Sequence, residues 1–281
     1  MTIKDILVHV ETEDGDSGNA RIAYSLSLAS RFDAHLSGLA LALQPTMPPM
    51  VMGEVPGTLL ESQRKASIDA ANRAGDGFAA AAERAGVAFD RRVVECSESA
   101  ASSVFASHSR TTDLVVAGQS APDDSIALHE MLIEAALFDS GRPLLIVPYI
   151  ERAEARLDRV LVAWDGGREA ARAAHDALPL LAKAQNVEIL VIGQDIPAAA
   201  SQEPGADLAL NLARHNLNVT VKRMGSPSSS ASDAILSYAF DVGADLIVMG
   251  GYGHSRLRQF VMGGATRGIL ESMTVPVLMS H

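Results

Sequence analysis

Cysteine is nearly missing from this chain. Cys96 stands alone among 281 residues, so no disulfide can form within it and a cysteine-based zinc site is excluded. Glu95, Ser97 and Glu98 around it supply no positive charge to activate the thiol, which reads as a bland group at a strand end. Aromatic residues make up only 4%, so the cores must be built from Val, Leu, Ile and Ala, which suits parallel strands covered by helices. Long apolar runs are also missing, and none approaches the roughly 20 residues that span a bilayer. The opening stretch, MTIKDILVHVETED, has no basic segment followed by an apolar one, so a soluble cytoplasmic protein is expected. Basic residues are outnumbered 34 to 23, giving a formal net charge of −11. A broad electrostatic footprint for nucleic acid is therefore absent.

What is present is a repeat. Ile3-Lys4-Asp5-Ile6-Leu7-Val8 matches Leu157-Asp158-Arg159-Val160-Leu161-Val162, a distance of 154 residues. Further on, Thr112-Asp113-Leu114-Val115-Val116-Ala117-Gly118 matches Ala244-Asp245-Leu246-Ile247-Val248-Met249-Gly250 at a distance of 132. Arg142-Pro143-Leu144-Leu145-Ile146-Val147 then matches Val275-Pro276-Val277-Leu278-Met279-Ser280 at 133. Three matches in one order mark two tandem domains, 1–150 and 151–281, joined by the charged segment YIERAEAR. The shrinking distance places about 22 extra residues in the first copy, expected in the Pro- and Met-rich stretch QPTMPPMVMGEVPG and in extra helix after it.

Short apolar runs alternate with Ala-rich stretches of helical character. In the second copy strands read near 157–164, 187–193, 217–224, 244–250 and 276–280, and helices near 168–184, 205–216, 230–242 and 264–273. Such alternation predicts α/β domains with doubly wound parallel sheets and right-handed crossovers.

The strongest local signal follows the fourth strand of the second copy. Gly250-Gly251-Tyr252-Gly253 is followed by nine residues and then Gly263-Gly264-Ala265-Thr266. Open α/β sheets bind ligands at the carboxyl ends of their strands. Glycines there let the backbone approach phosphate oxygens, and the helix opening at Gly264 presents unpaired N–H groups to an anion. Thr266 adds a hydroxyl, while His254 and Arg256 are further candidate donors. Glycines alone equally fit a plain surface loop with capping residues.

The spacing Gly-x-x-Gly, nine residues, Gly and a small residue resembles the ATP-binding signature of the universal stress protein family. ADLIVMGGYGHSRLRQFVMGGATRGIL, TVPVLMSH and RVLVAWDGGREAARAAHDAL resemble the same family's strand, loop and helix words. The resemblance implies a tandem member, with two Rossmann-like, adenine nucleotide alpha-hydrolase-like domains forming an internal pseudo-dimer. It further implies ATP, with or without Mg²⁺, contacted by Ala163, Trp164, Asp165, Val191, Met249, Gly250, Tyr252, Gly253, Gly263, Gly264, Ala265 and Thr266. Asp165 is the implied ribose or adenine partner, although Asp-Gly-Gly is also turn chemistry. One departure stands out: Gly264 occupies a place usually held by Ser or Thr, so a hydroxyl donor is lost.

The first copy departs further. Gln119-Ser120-Ala121-Pro122-Asp123-Asp124 follows Gly118, and alignment on the last strand sets Glu130 and Met131 opposite Gly263 and Gly264. Glu130 is expected to repel phosphate and Met131 to fill its space, leaving this copy without ATP. The eight histidines show no metal-ligand spacing, and no metal site or catalytic constellation is expected. The expected function is a nucleotide-binding stress-response sensor or adaptor with an unidentified protein partner and no nucleic-acid or membrane partner. A slow ATP hydrolase, with His254 or Asp165 orienting water, and a nucleotide-free interaction module stay open, as does a homodimer of the tandem chain.

Overall fold

The computed structural model describes residues 2–12, 16–44, 57–120, 126–150, 154–193, 203–227, 229–251 and 264–281. The chain divides into two compact units, residues 3–142 and 143–281.

The first unit runs β1 (Asp5–Val10), α1 (Asp16–Phe32), β2 (His35–Gln44), α2 (Gly57–Ala85), β3 (Phe89–Ser97), α3 (Glu98–Ser109), β4 (Leu114–Gly118) and α4 (Ile126–Asp139). Its strands lie in the order β3-β2-β1-β4, and the β3–β2, β2–β1 and β1–β4 pairs are all parallel. The second unit runs β5 (Leu144–Val147), β6 (Arg159–Ala163), α5 (Arg168–Asp176), α6 (Leu178–Leu181), β7 (Asn186–Ile192), α7 (Ala206–Arg214), β8 (Val219–Met224), α8 (Ala231–Val242), β9 (Leu246–Gly250), α9 (Gly264–Ser272) and β10 (Val277–Ser280). Its order is β5-β10-β9-β6-β7-β8. All of its pairs are parallel except β5 with β10, which is antiparallel. β5 and β10 are the closing strands of the two repeats.

Burial explains the strand sequences. Ile6, Leu7 and Val8 are wholly enclosed, as are Leu246, Ile247 and Val248, because helices cover both faces of a parallel sheet. The edge strand β8, VTVKRM, instead keeps its polar residues outward. The repeat is visible in the register: Ile6 sits opposite Leu114 in the first unit and Val160 opposite Leu246 in the second. Cys96 is buried at the end of β3, and burial pushes its thiol pKa up.

One element differs from the expected one, and the extra helix expected in the first copy is present. The single helix expected over 168–184 breaks at Ala177 into α5 and α6. Pro179 lies in the first turn of α6, where its missing N–H costs nothing, whereas inside one continuous helix it would collide with the His175 carbonyl. The extra length of the first copy resides in helix: α2 has 29 residues against 9 in α7. Residues 45–56, where part of it was expected, lie outside the described residues. α2 lies along β2 and β3 through Ala71, Gly75, Phe78 and Ala82. Phe78 fits flat because β2 carries Gly38 beneath it, where a Cβ would come within 2.5 Å of the ring. No described helix is long and apolar enough to cross a membrane.

Candidate functional site

In each repeat the chain winds outward from its opening strand, β1 or β6, in one direction and then returns to pair on that strand's other side. β6 has β7 on one flank and β9 on the other, and β1 has β2 and β4. A crevice forms at such a reversal, outside the carboxyl ends of the two central strands. The residues that follow β6 and β9, or β1 and β4, therefore decide what each unit can hold.

In the second unit, Ala163 ends β6 half-buried. Trp164 continues the pairing through its N–H to the Leu190 carbonyl at 2.9 Å. Asp165 is exposed, and its Oδ1 accepts the Gly167 N–H at 2.7 Å. Gly166 turns at φ 80°, which suits glycine, so Asp-Gly-Gly makes the tight entry to α5. The turn reading of Asp165 holds, at the carboxyl end of β6.

Across the crevice, β9 ends at Met249 and Gly250. Met249 is buried and pairs with Met279. A Cβ on Gly250 would lie 2.6 Å from the Ala170 backbone N, so this glycine makes room for the first turn of α5. Val191 is buried in β7 against the start of α7, where a Cβ on Gly205 would stand 3.1 Å from its Cγ2. α9 opens with Gly264 and Ala265 exposed and Thr266 buried. A side chain at Gly264 would meet open space. Tyr252, Gly253, His254, Arg256 and Gly263 lie outside the described residues. The structure thus brings Ala163, Trp164 and Asp165 beside Met249 and Gly250 on neighbouring strands, and it sets Val191 one strand away.

One residue here gave no signal in sequence. Glu169 is buried in the first turn of α5. Burial raises its pKa, but Arg168 and a backbone N–H outweigh this and hold the carboxyl below its usual range. A carboxylate in that turn also suits the positive end of the helix dipole.

In the first unit, side chains of α1 and α4 converge on Glu11, the residue after β1. The shared register puts Glu11 where Asp165 stands in the second unit. Arg21 of α1, 1% exposed, donates from Nη1 to Glu11 Oε1 at 2.7 Å and rests against Gly118 at the end of β4. His129 of α4 sets Nε2 at 2.6 Å from the same oxygen. His9 lies beside them, edge-on to Phe105 and His129 with centroids 5.9 and 6.2 Å away. Burial, and then the Arg21 charge, push the His9 pKa down to about 3. Burial works to raise the Glu11 pKa, but the His129 hydrogen bond and Arg21 prevail and hold it below the carboxylate range.

Glu130, expected to repel phosphate, is exposed, and Met131, expected to fill its space, is half-buried. The structure adds to them an Arg21 guanidinium and two imidazoles beside Glu11. Arg21 carries no motif, and His9 and His129 are too far apart in sequence for ligand spacing to reveal them.

A family model described as the universal stress protein family matches residues 156–281. A curated universal stress protein of Synechocystis sp. is 44% identical over 48 residues, a stretch covering 17% of either chain. Among solved structures, a universal stress protein of Archaeoglobus fulgidus superposes with a TM-score of 0.72 at 17% identity, covering 98% of this chain and 95% of that one. A putative universal stress protein of Pseudomonas aeruginosa covers 99% and 93%, with a TM-score of 0.57 at 16% identity. Residues 156–281 thus match the universal stress protein family model, and the whole chain has the fold of these solved universal stress proteins.

Proposed function

We propose that the second unit binds ATP at the carboxyl edge of its sheet and that the protein acts as a nucleotide-dependent stress sensor or adaptor. The observation that carries this reading is the crevice between β6 and β9, flanked by Asp165 on one strand and by the glycine-rich segment leaving the other. A segment leaving the sheet there and entering α9 offers unpaired helical N–H groups to phosphate. Asp165 is suited to a ribose hydroxyl. An acidic chain can bind an anion this way, because the attraction comes from local dipoles and not from net charge.

The first unit takes a different part. Arg21 lies against Gly118 and is tied to Glu11, where the second unit has Gly250 and Asp165; on this reading one nucleotide per chain is the expected stoichiometry. The output would pass to a protein partner.

Titration calorimetry tests the reading. The wild-type chain is expected to bind one ATP, and a Gly253→Glu, Gly263→Glu double variant to lose about 100-fold or more through like-charge repulsion. Equal binding by both proteins, or none by either, would overturn it. Nucleotide recovered from the purified protein is expected to be intact ATP; recovery of ADP would favour the hydrolase.

A further inference from the structure

His9 is 5% exposed, yet its imidazole makes no hydrogen bond among the described residues. Glu11 is similarly half-used. Arg21 and His129 both meet Oε1, and Oε2 is left without a hydrogen bond. His9, Glu11 and His129 converge: one ligand atom from each lies within 4.8 Å of the others, with both imidazoles buried and the carboxylate half-buried.

We propose that His9, Glu11 and His129 form a binding site for a transition-metal dication of the zinc class, inside the first unit. Two imidazoles and one carboxylate are borderline and hard donors that suit Zn²⁺ or Co²⁺. Backbone geometry supports the set. His9 lies in β1 and Glu11 directly follows its last residue, and their ligand atoms lie within 4.8 Å of each other. His129 reaches them from α4, and the ion would tie that helix to the central strand. Arg21 would then act as an outer partner that fixes the carboxylate, in the way ligating carboxylates are commonly held by a further hydrogen bond. Its positive charge limits affinity, because it stands beside the dication's own ligand. Three protein ligands leave a fourth position for water. The site is separate from the nucleotide crevice of the second unit and does not depend on that reading.

The test uses the full chain stripped of metal with a chelator and titrated with Zn²⁺, and separately with Co²⁺. One equivalent of each is expected to bind, with the visible absorption of low-coordinate Co²⁺. His9→Gln and His129→Gln are each expected to weaken uptake by about 10-fold or more. His215→Gln, at an exposed histidine of the second unit, should leave it unchanged. X-ray absorption on the zinc-loaded wild type should report two imidazoles and a carboxylate, and it decides the matter even if a variant folds poorly. No stoichiometric uptake by the wild type, uptake unaffected by both variants, or a spectrum without imidazole would overturn the site.

Discussion

Gly118 and Arg21 fit together only because one of them lacks a side chain. A Cβ at 118 would run into the Arg21 guanidinium, which cannot retreat because it is enclosed and held by Glu11. Gly118→Ala is therefore expected to cost about 2–3 kcal/mol, through overpacking and a strained buried ion pair. The readout is the shift of the urea midpoint at an unchanged slope. Loss of less than about 0.5 kcal/mol would mean the guanidinium has another place to go. The two glycines that end β4 and β9 answer different neighbours. Gly118 accommodates a side chain, whereas Gly250 accommodates the backbone of α5. A glycine in sequence announces close approach but not of what, which is why Gly250 read as a phosphate-loop glycine although it makes room for α5. Asp165 was legible because its turn and its strand are contiguous. Arg21, His9 and His129 were not, since only the folded sheet brings α1, β1 and α4 together.

At the level of elements, α9 offers the most direct adjustment. Gly264 lies in its first turn, exposed, with open space where a Cβ would go. Gly264→Ser restores the hydroxyl that the family pattern carries at this place, and it replaces a poor helix former. The expected result is tighter ATP binding, by about 5- to 10-fold for one added hydrogen bond to phosphate, with stability raised by a few tenths of a kcal/mol. Calorimetry and a thermal melt check the two effects separately. Unchanged affinity would mean that α9 does not face the nucleotide. The strands of the second repeat were legible within about two residues, because enclosed parallel strands must be apolar throughout. The ends of α8 were equally plain: Ser230 and Asp233 cap each other's backbone N–H, and Gly243 leaves the helix at φ 62°. The break at Ala177 was hidden, since Pro179 is as acceptable in a first turn as it is harmful in a helix interior. The extra helix of the first copy was legible from the spacing of the repeats, and α2 supplies it.

For the whole molecule, a shared register survives in both repeats while their crevices have diverged. The packed sheet constrains where strands lie. Residues beyond the strand ends are freer, so one crevice can gain a buried ion pair without disturbing the scaffold. Division of labour follows: a scaffold repeated twice carries one proposed nucleotide site and one proposed metal site. The pairing of β5 with β10 makes a further prediction. A fragment 143–281 keeps the outer flank of β10 hydrogen-bonded, whereas a fragment 151–281 exposes it. An open apolar strand edge invites pairing between copies. The shorter fragment is expected to dimerise or aggregate with rising concentration while the longer one does so less, as read by size-exclusion chromatography. Identical elution of the two would show that β5 does not guard the edge.

That same pairing sets a clock on synthesis. Ile146 meets Val277, so β5 leaves the ribosome about 130 residues before its partner exists. At ordinary elongation rates the strand waits on the order of ten seconds. During that interval β1 to β4 can settle as a sheet of their own, while Leu144 to Val147, all destined for burial, are kept from water only by whatever holds them temporarily.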